Sequence, residues 1–178
     1  VIYRDAIRNI EERVDELNAS FKTITTTGQV ESIGSLKYSG IPISYEMGVD
    51  GVFQGRTMPV RVTLRPDNTN TSFLLNGNIV NLSEDAIFKG QLKSEGNSLA
   101  ELIIEVSELD ATSGFLNQPY SLQGNVAANV SSLEISDVNV KLGEASATGV
   151  VNIDLAEGIT GALDLSIKHI NLDNAIKL

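Results

Sequence analysis

The chain has 178 residues and a formal charge of −10, from 13 Lys+Arg against 23 Asp+Glu, with one His and no Cys. Without Cys, thiol catalysis, thiolate zinc sites, iron–sulfur clusters and disulfide frameworks are excluded, and cysteine usage reveals no redox compartment. At about 100 to 200 residues per domain, this is one domain or one slice of a longer array, long enough to fold without a metal or disulfide staple.

The charge is unevenly placed. Residues 1–65 balance eight basic against eight acidic side chains, whereas 66–178 carry five against fifteen. Nucleic-acid binding needs clustered Lys/Arg to neutralise phosphates, so no nucleic-acid partner is expected, and an anionic membrane surface is disfavoured by the same sign. No apolar run reaches the length of a transmembrane helix, and the first residues lack the charged, apolar and cleavage regions of a signal peptide. The chain starts at Val1 without Met, which suggests a processed or excised segment, with a signal or anchor lost upstream.

In chain order, Tyr3, Ile7, Ile10, Val14 and Leu17 recur at spacings of four, three, four and three, which predicts an amphipathic helix over 1–18. Beyond Asn18 the period changes to two, in segments separated by Gly, Asn, Asp, Pro and Ser. Met58, Val60, Val62 and Leu64 alternate before Pro66-Asp67-Asn68; Phe73, Leu75 and Ile79 alternate around Gly77; Ala86, Phe88 and Leu92 alternate around Gly90. Helical spacing returns at Leu99, Leu102, Ile103, Val106 and Leu109 behind Asn97-Ser98, a plausible N-cap, so a short helix is expected over 98–109.

Downstream, Tyr120 to Val130, Ala147 to Leu155 and Ile159 to Ile167 again alternate. Between them the phase slips, from odd at Leu133 and Ile135 to even at Val138, Val140 and Leu142, which predicts a β-bulge near Ser136-Asp137. Leu75-Asn76-Gly77-Asn78-Ile79 with Phe88-Lys89-Gly90-Gln91-Leu92 is echoed by Thr148 to Ile153 with Ile159 to Leu163, at glycine spacings of thirteen and twelve. The echo divides the chain into a first unit of about 19–97 and a second of about 110–178. The expected fold is mainly β with two short helices, a curved antiparallel sheet or a groove of taco-like repeats.

Motifs of chemistry are sparse. His169, the one histidine, stands between Lys168 and Ile170 with no G-x-S-x-G elbow, and reads as an ordinary strand residue. Glu11-Glu12, Asp15-Glu16 and Glu84-Asp85 read as solvated faces rather than acid/base pairs. Asp67-Asn68-Thr69-Asn70 lacks the Gly and distal Glu of a calcium loop and reads as a polar hairpin turn. No phosphate-binding glycine loop occurs. Asn18, Asn70, Asn81 and Asn129 head glycosylation-type triplets, at a frequency that so much Asn, Ser and Thr produces by chance. No catalytic, cofactor-binding or metal-binding residue is therefore expected, and the chain reads as non-enzymatic.

What remains is the apolar face. Phe73, Leu75, Phe88 and Leu92 in the first unit, with Val151, Ile153, Leu163, Leu165 and Ile167 in the second, are candidates to line an open face that holds acyl chains; the competing reading makes the same residues a closed core. Aromatic content is 5% with no Trp, so the lining is aliphatic and suits lipid tails better than sugars or bases.

The ordered series Pro119-Tyr120-Ser121-Leu122-Gln123-Gly124, Leu133 to Val138, Leu142-Gly143, Ala147-Thr148-Gly149, Ile153-Asp154-Leu155, Gly161-Ala162-Leu163 and Leu172-Asp173 resembles the AsmA-like family of Gram-negative envelope proteins. Phe73 to Leu99, with Gly77, Gly90 and Gly96, resembles that family's other typical block, so the resemblance covers most of 57–178. It implies a periplasmic protein tethered by an inner-membrane helix, built of repeating β-sheet around an elongated groove. It also implies a likeness to bridge-like lipid-transfer proteins, with phospholipid or another acyl lipid as partner, envelope proteins as further partners, and a part in outer-membrane assembly. The family brings no catalytic residues. Against a full member of that family, the chain is expected to be one short segment of the conduit, without the N-terminal anchor. The alternatives are a protein-binding or structural scaffold with a closed core, and an enzyme whose site lies elsewhere.

Overall fold

The computed structural model describes residues 2–5, 10–23, 28–38, 40–50, 57–82, 86–107, 114–156 and 160–169. Its strands are β1 (Ile2–Asp5), β2 (Ile10–Thr23), β3 (Val30–Tyr38), β4 (Ile41–Val49), β5 (Thr57–Pro66), β6 (Ser72–Val80), β7 (Ile87–Gly96), β8 (Tyr120–Ala128), β9 (Ser132–Leu142), β10 (Ala145–Asp154) and β11 (Thr160–His169). Among the described residues one helix, α1 (Leu99–Ser107), interrupts them between β7 and β8. Each strand pairs antiparallel with its neighbours in sequence, in the order β1 to β11. The result is an open, mainly β sheet that passes without a break from β7 to β8, across the division between the two units read from the sequence.

The helix expected over 1–18 is not formed where the chain is described: residues 2–5 and 10–23 are strands. The physical reason is a bulge. Asp15 faces Lys37 while Asn18 faces Ser35, so β2 carries one extra residue against β3, with Glu16 at φ 51°. One inserted residue stretches a spacing of two to three, as between Val14 and Leu17, and the spacing of four between Ile10 and Val14 suits period two as well as 3.6. A bulged strand thus mimics a helical stripe.

The second helix forms where Ser98 predicts it. The Glu101 backbone N–H donates to Ser98 Oγ at 3.2 Å, the N-cap bond, and the Ala100 N–H donates to the Leu116 carbonyl at 3.0 Å. Residues 108–113, including the expected last turn, lie outside the described residues. The bulge at Ser136-Asp137 is present against both neighbours: Gln123 and Asn125 face Asn139 and Ser136, and Gly149 and Val151 face Val138 and Ile135. Asp137 takes φ 51° and its Oδ2 accepts from Asn125 Nδ2 at 2.8 Å.

The buried apolar residues are Ala100 on α1 and Tyr120, Val126, Val138 and Leu142 on β8 and β9, and the buried polar ones are Ser32, Thr71, Ser94 and Ser98. Asn68 Nδ2, in the turn after β5, donates to Glu105 Oε1 at 2.8 Å, which fixes α1 beside that rim of the sheet. The whole chain exposes 11773 Å², where a compact protein of this mass exposes roughly 8,400 Å². Among the described residues, most of the sheet therefore has no second layer.

Candidate functional site

Cross-strand register decides which side chains share a face, because directly opposed residues point to the same side. Starting from β3, Leu36 faces Ile43, Ile43 faces Pro66, and Val30 faces Val49, which faces Val60. Val62 then faces Leu75, Leu75 faces Leu92, and Leu92 faces Gly124. Val126 faces Ile135, Ile135 faces Val151, and Val151 faces Leu163. The series runs from β3 to β11 on one side of the sheet, and the bulge at Asp137 is what keeps Val138, Val140 and Leu142 on that side too.

Every candidate lining residue lies on this face. Phe73 and Leu75 sit on β6, Phe88 and Leu92 on β7, Val151 and Ile153 on β10, and Leu163, Leu165 and Ile167 on β11. The face also holds Ile43, Tyr45, Met47 and Val49 on β4, not singled out from the sequence, and Leu122, Val126 and Val140 on β8 and β9, which the sequence marks as alternating but not as lining candidates. The signal that finds them is the same alternation. Their side chains are half-buried by one another in the middle strands and become exposed at the last strand, where Leu163, Leu165 and Ile167 are 64%, 40% and 64% exposed.

The other face is polar. Asn76 faces Gln91, Gln91 faces Asn125, Arg61 faces Asn76, and Lys93 faces Gln123. Arg65 Nη1 donates to Glu46 Oε1 at 2.7 Å between exposed side chains, a pair that contributes little stability in water. This side carries a depression of about 350 Å³ beside Glu31, Glu46 and Arg61, where Gly48 leaves a gap in the row, and one of about 340 Å³ between Lys93, Ser121, Gln123 and Lys141.

The remaining sequence candidates are dispersed. His169 is exposed at the end of β11, opposite Ser146. Asp67 to Asn70 make the turn from β5 to β6, with Asp67 Oδ1 accepting from Ser44 Oγ at 3.0 Å. Asn129 Oδ1 accepts from the Ser131 and Ser132 backbone N–H groups, both at 2.8 Å, as in an Asx turn. Glu16 pairs with Lys37 at 3.5 Å on the bulge of β2 rather than on a helix face. Glu84 and Asp85 lie outside the described residues, as do Ile159 and Leu172. Among the described residues no group of three His, Cys, Asp or Glu side chains is close enough to hold a metal ion, and no helix is long and apolar enough to cross a membrane.

The glycine echo is unequal in structure. Gly77 and Gly90 oppose each other directly, so a Cβ on Gly90 would stand 2.7 Å from the Gly77 Cα. Gly149 opposes Leu165 and Gly161 opposes Ile153, so the later pair do not meet. No protein-family model, no curated protein and no solved structure matches the chain.

Proposed function

We propose that this chain is a non-enzymatic, lipid-handling segment of an AsmA-like envelope protein. In this reading it works in the periplasm of a Gram-negative bacterium, its full-length protein held in the inner membrane, and it serves phospholipid transport and outer-membrane assembly through its apolar β face. The observation that carries the reading is the register: aliphatic side chains occupy one side of the sheet from β3 to β11, while the strand order stays open.

The mechanism is passive partition. Each methylene that leaves water for an aliphatic surface gains about 0.8 kcal/mol, so an acyl chain laid along half-exposed Leu, Ile and Val side chains is held without any directed bond. Surfaces of this kind retain chain length and discriminate weakly between headgroups. The polar face stays in water, and direction is supplied by other parts of the system.

The test is a titration of delipidated protein with a fluorescent fatty acid. The parent and Thr63→Asp, on the polar face, bind the probe; Met47→Asp and Val62→Asp, on the apolar face, lose most of the binding while circular dichroism still reports β structure. Absence of probe binding in the folded parent, or equal loss in Thr63→Asp, would overturn the reading.

A further inference from the structure

Two tyrosine hydroxyls on the apolar face use their protons differently. In β8 the Tyr120 O–H donates to Thr71 Oγ1 at 3.1 Å, so in the 3.3 Å contact between Ser94 and Tyr120 it is the serine that donates. A phenol has one proton, and this one is spent among buried side chains. In β4, Tyr45 is half-buried, and among the described residues its hydroxyl meets only Ser32 Oγ, at 3.4 Å. Ser32 is 1% exposed and has no other side-chain partner there. A buried hydroxyl proton left without an acceptor is costly, whereas a half-exposed one can turn outward. Ser32 therefore donates to Tyr45 Oη, and the phenolic proton is directed away from the serine, onto the apolar face.

The surroundings of that proton are aliphatic and uncharged. Tyr45 faces Gly34, which leaves room for its ring, and Leu64; Ser32 faces Met47 on one side and Phe21, 70% exposed, on the other. No Lys or Arg of β3, β4 or β5 lies on this face, because Lys37, Arg61 and Arg65 all fall on the polar side. We infer that Tyr45 is a binding residue for the ester carbonyl of an acyl lipid, its O–H donating to the carbonyl oxygen while the chain lies along the neighbouring apolar side chains. The inference rests on the lipid-handling reading above and adds to it one directed bond at the head of the chain. A carboxylate moved out of water onto this face would need a cation beside it, and a neutral ester does not, so an esterified chain fits the site better than a free fatty acid.

The experiment compares three probes that share one fluorophore and one chain: an alkane, a methyl ester isotope-labelled at its carbonyl, and the free acid as its carboxylate. Tyr45→Phe is expected to bind the ester about three- to tenfold more weakly than the parent, the effect of one hydrogen bond, and the alkane equally well. Tyr120→Phe, whose proton is already spent on Thr71, is expected to leave ester binding unchanged. The infrared carbonyl band of the ester on the parent is expected at lower frequency than in hydrocarbon, and to return in Tyr45→Phe. The free acid is expected to bind the parent more weakly than the ester. Ester binding unaffected by Tyr45→Phe, equal weakening of ester and alkane, an unshifted carbonyl band on the parent, equal loss in Tyr120→Phe, or a free acid that binds more tightly than the ester would overturn the assignment and leave passive partition standing. A parent that binds none of the three probes would overturn both.

Discussion

Tyr120 lies directly over Gly96 on the neighbouring strand: the two are cross-strand partners, and a Cβ on Gly96 would stand 2.6 Å from Tyr120 Cε1. The ring fills the space that the glycine leaves, and its hydroxyl donates to Thr71 Oγ1 at 3.1 Å and lies 3.3 Å from Ser94 Oγ. The arrangement occurs twice. Tyr45 opposes Gly34, its hydroxyl is 3.4 Å from the buried Ser32 Oγ, and the serine again stands two residues before the glycine. In the second copy α1 is inserted between glycine and tyrosine, which shows how a hairpin site accepts an insertion without losing its pairing.

Replacing Tyr120 by Phe keeps the ring over Gly96 and removes the hydroxyl between two buried side chains. The loss of hydrogen bonding is expected to cost about 1 to 2 kcal/mol in urea unfolding. The same change at Tyr45, whose contact to Ser32 is longer, is expected to cost less.

Gly90→Ala and Gly48→Ala separate close approach from mere flexibility. A Cβ at Gly90 meets the Asn76 carbonyl at 2.5 Å and the Gly77 Cα at 2.7 Å, so the strands must part; one at Gly48 meets nothing within 4 Å, and its φ is not positive. Gly90→Ala is expected to lower the unfolding midpoint clearly, and Gly48→Ala to raise stability by about 0.4 to 1 kcal/mol by restricting the unfolded chain.

Asp137 holds the phase of β9. Glycine accepts φ 51° freely, so Asp137→Gly is expected to be close to neutral, whereas Asp137→Val is expected to cost about 1 to 2 kcal/mol. Deleting Asp137 would turn Val138, Val140 and Leu142 to the polar side. Val138 is 2% exposed, so the deletion is expected to abolish cooperative unfolding followed by circular dichroism.

Much of this was legible in the sequence because alternation is strong wherever aliphatic residues occupy every second position, as in Met58 to Leu64 or Phe73 to Ile79. The bulge at Asp137 was legible for the same reason: regular parity on both sides makes a slip visible. The bulge at Glu16 was not, because the described strand on its N-terminal side contributes few alternating residues, and the resulting spacings of three and four imitate a helix. β3 was obscured by its own chemistry, since Ser32 and Gly34 occupy two of its apolar-face positions and only the covering Tyr45, eleven residues from Gly34, makes sense of them. The shared face of the lining residues followed from parity. The openness of the sheet did not, because alternation reads alike in a closed core and an open face, and only strand order separates the two.

The most direct measurement of the central claim is native mass spectrometry of the purified chain, followed by organic extraction and identification of what it carries. The account predicts phospholipid mass on the folded chain, lost in Met47→Asp and Val62→Asp variants that keep their β circular dichroism. A folded parent that carries no lipid and takes up none when offered phospholipid vesicles would contradict it.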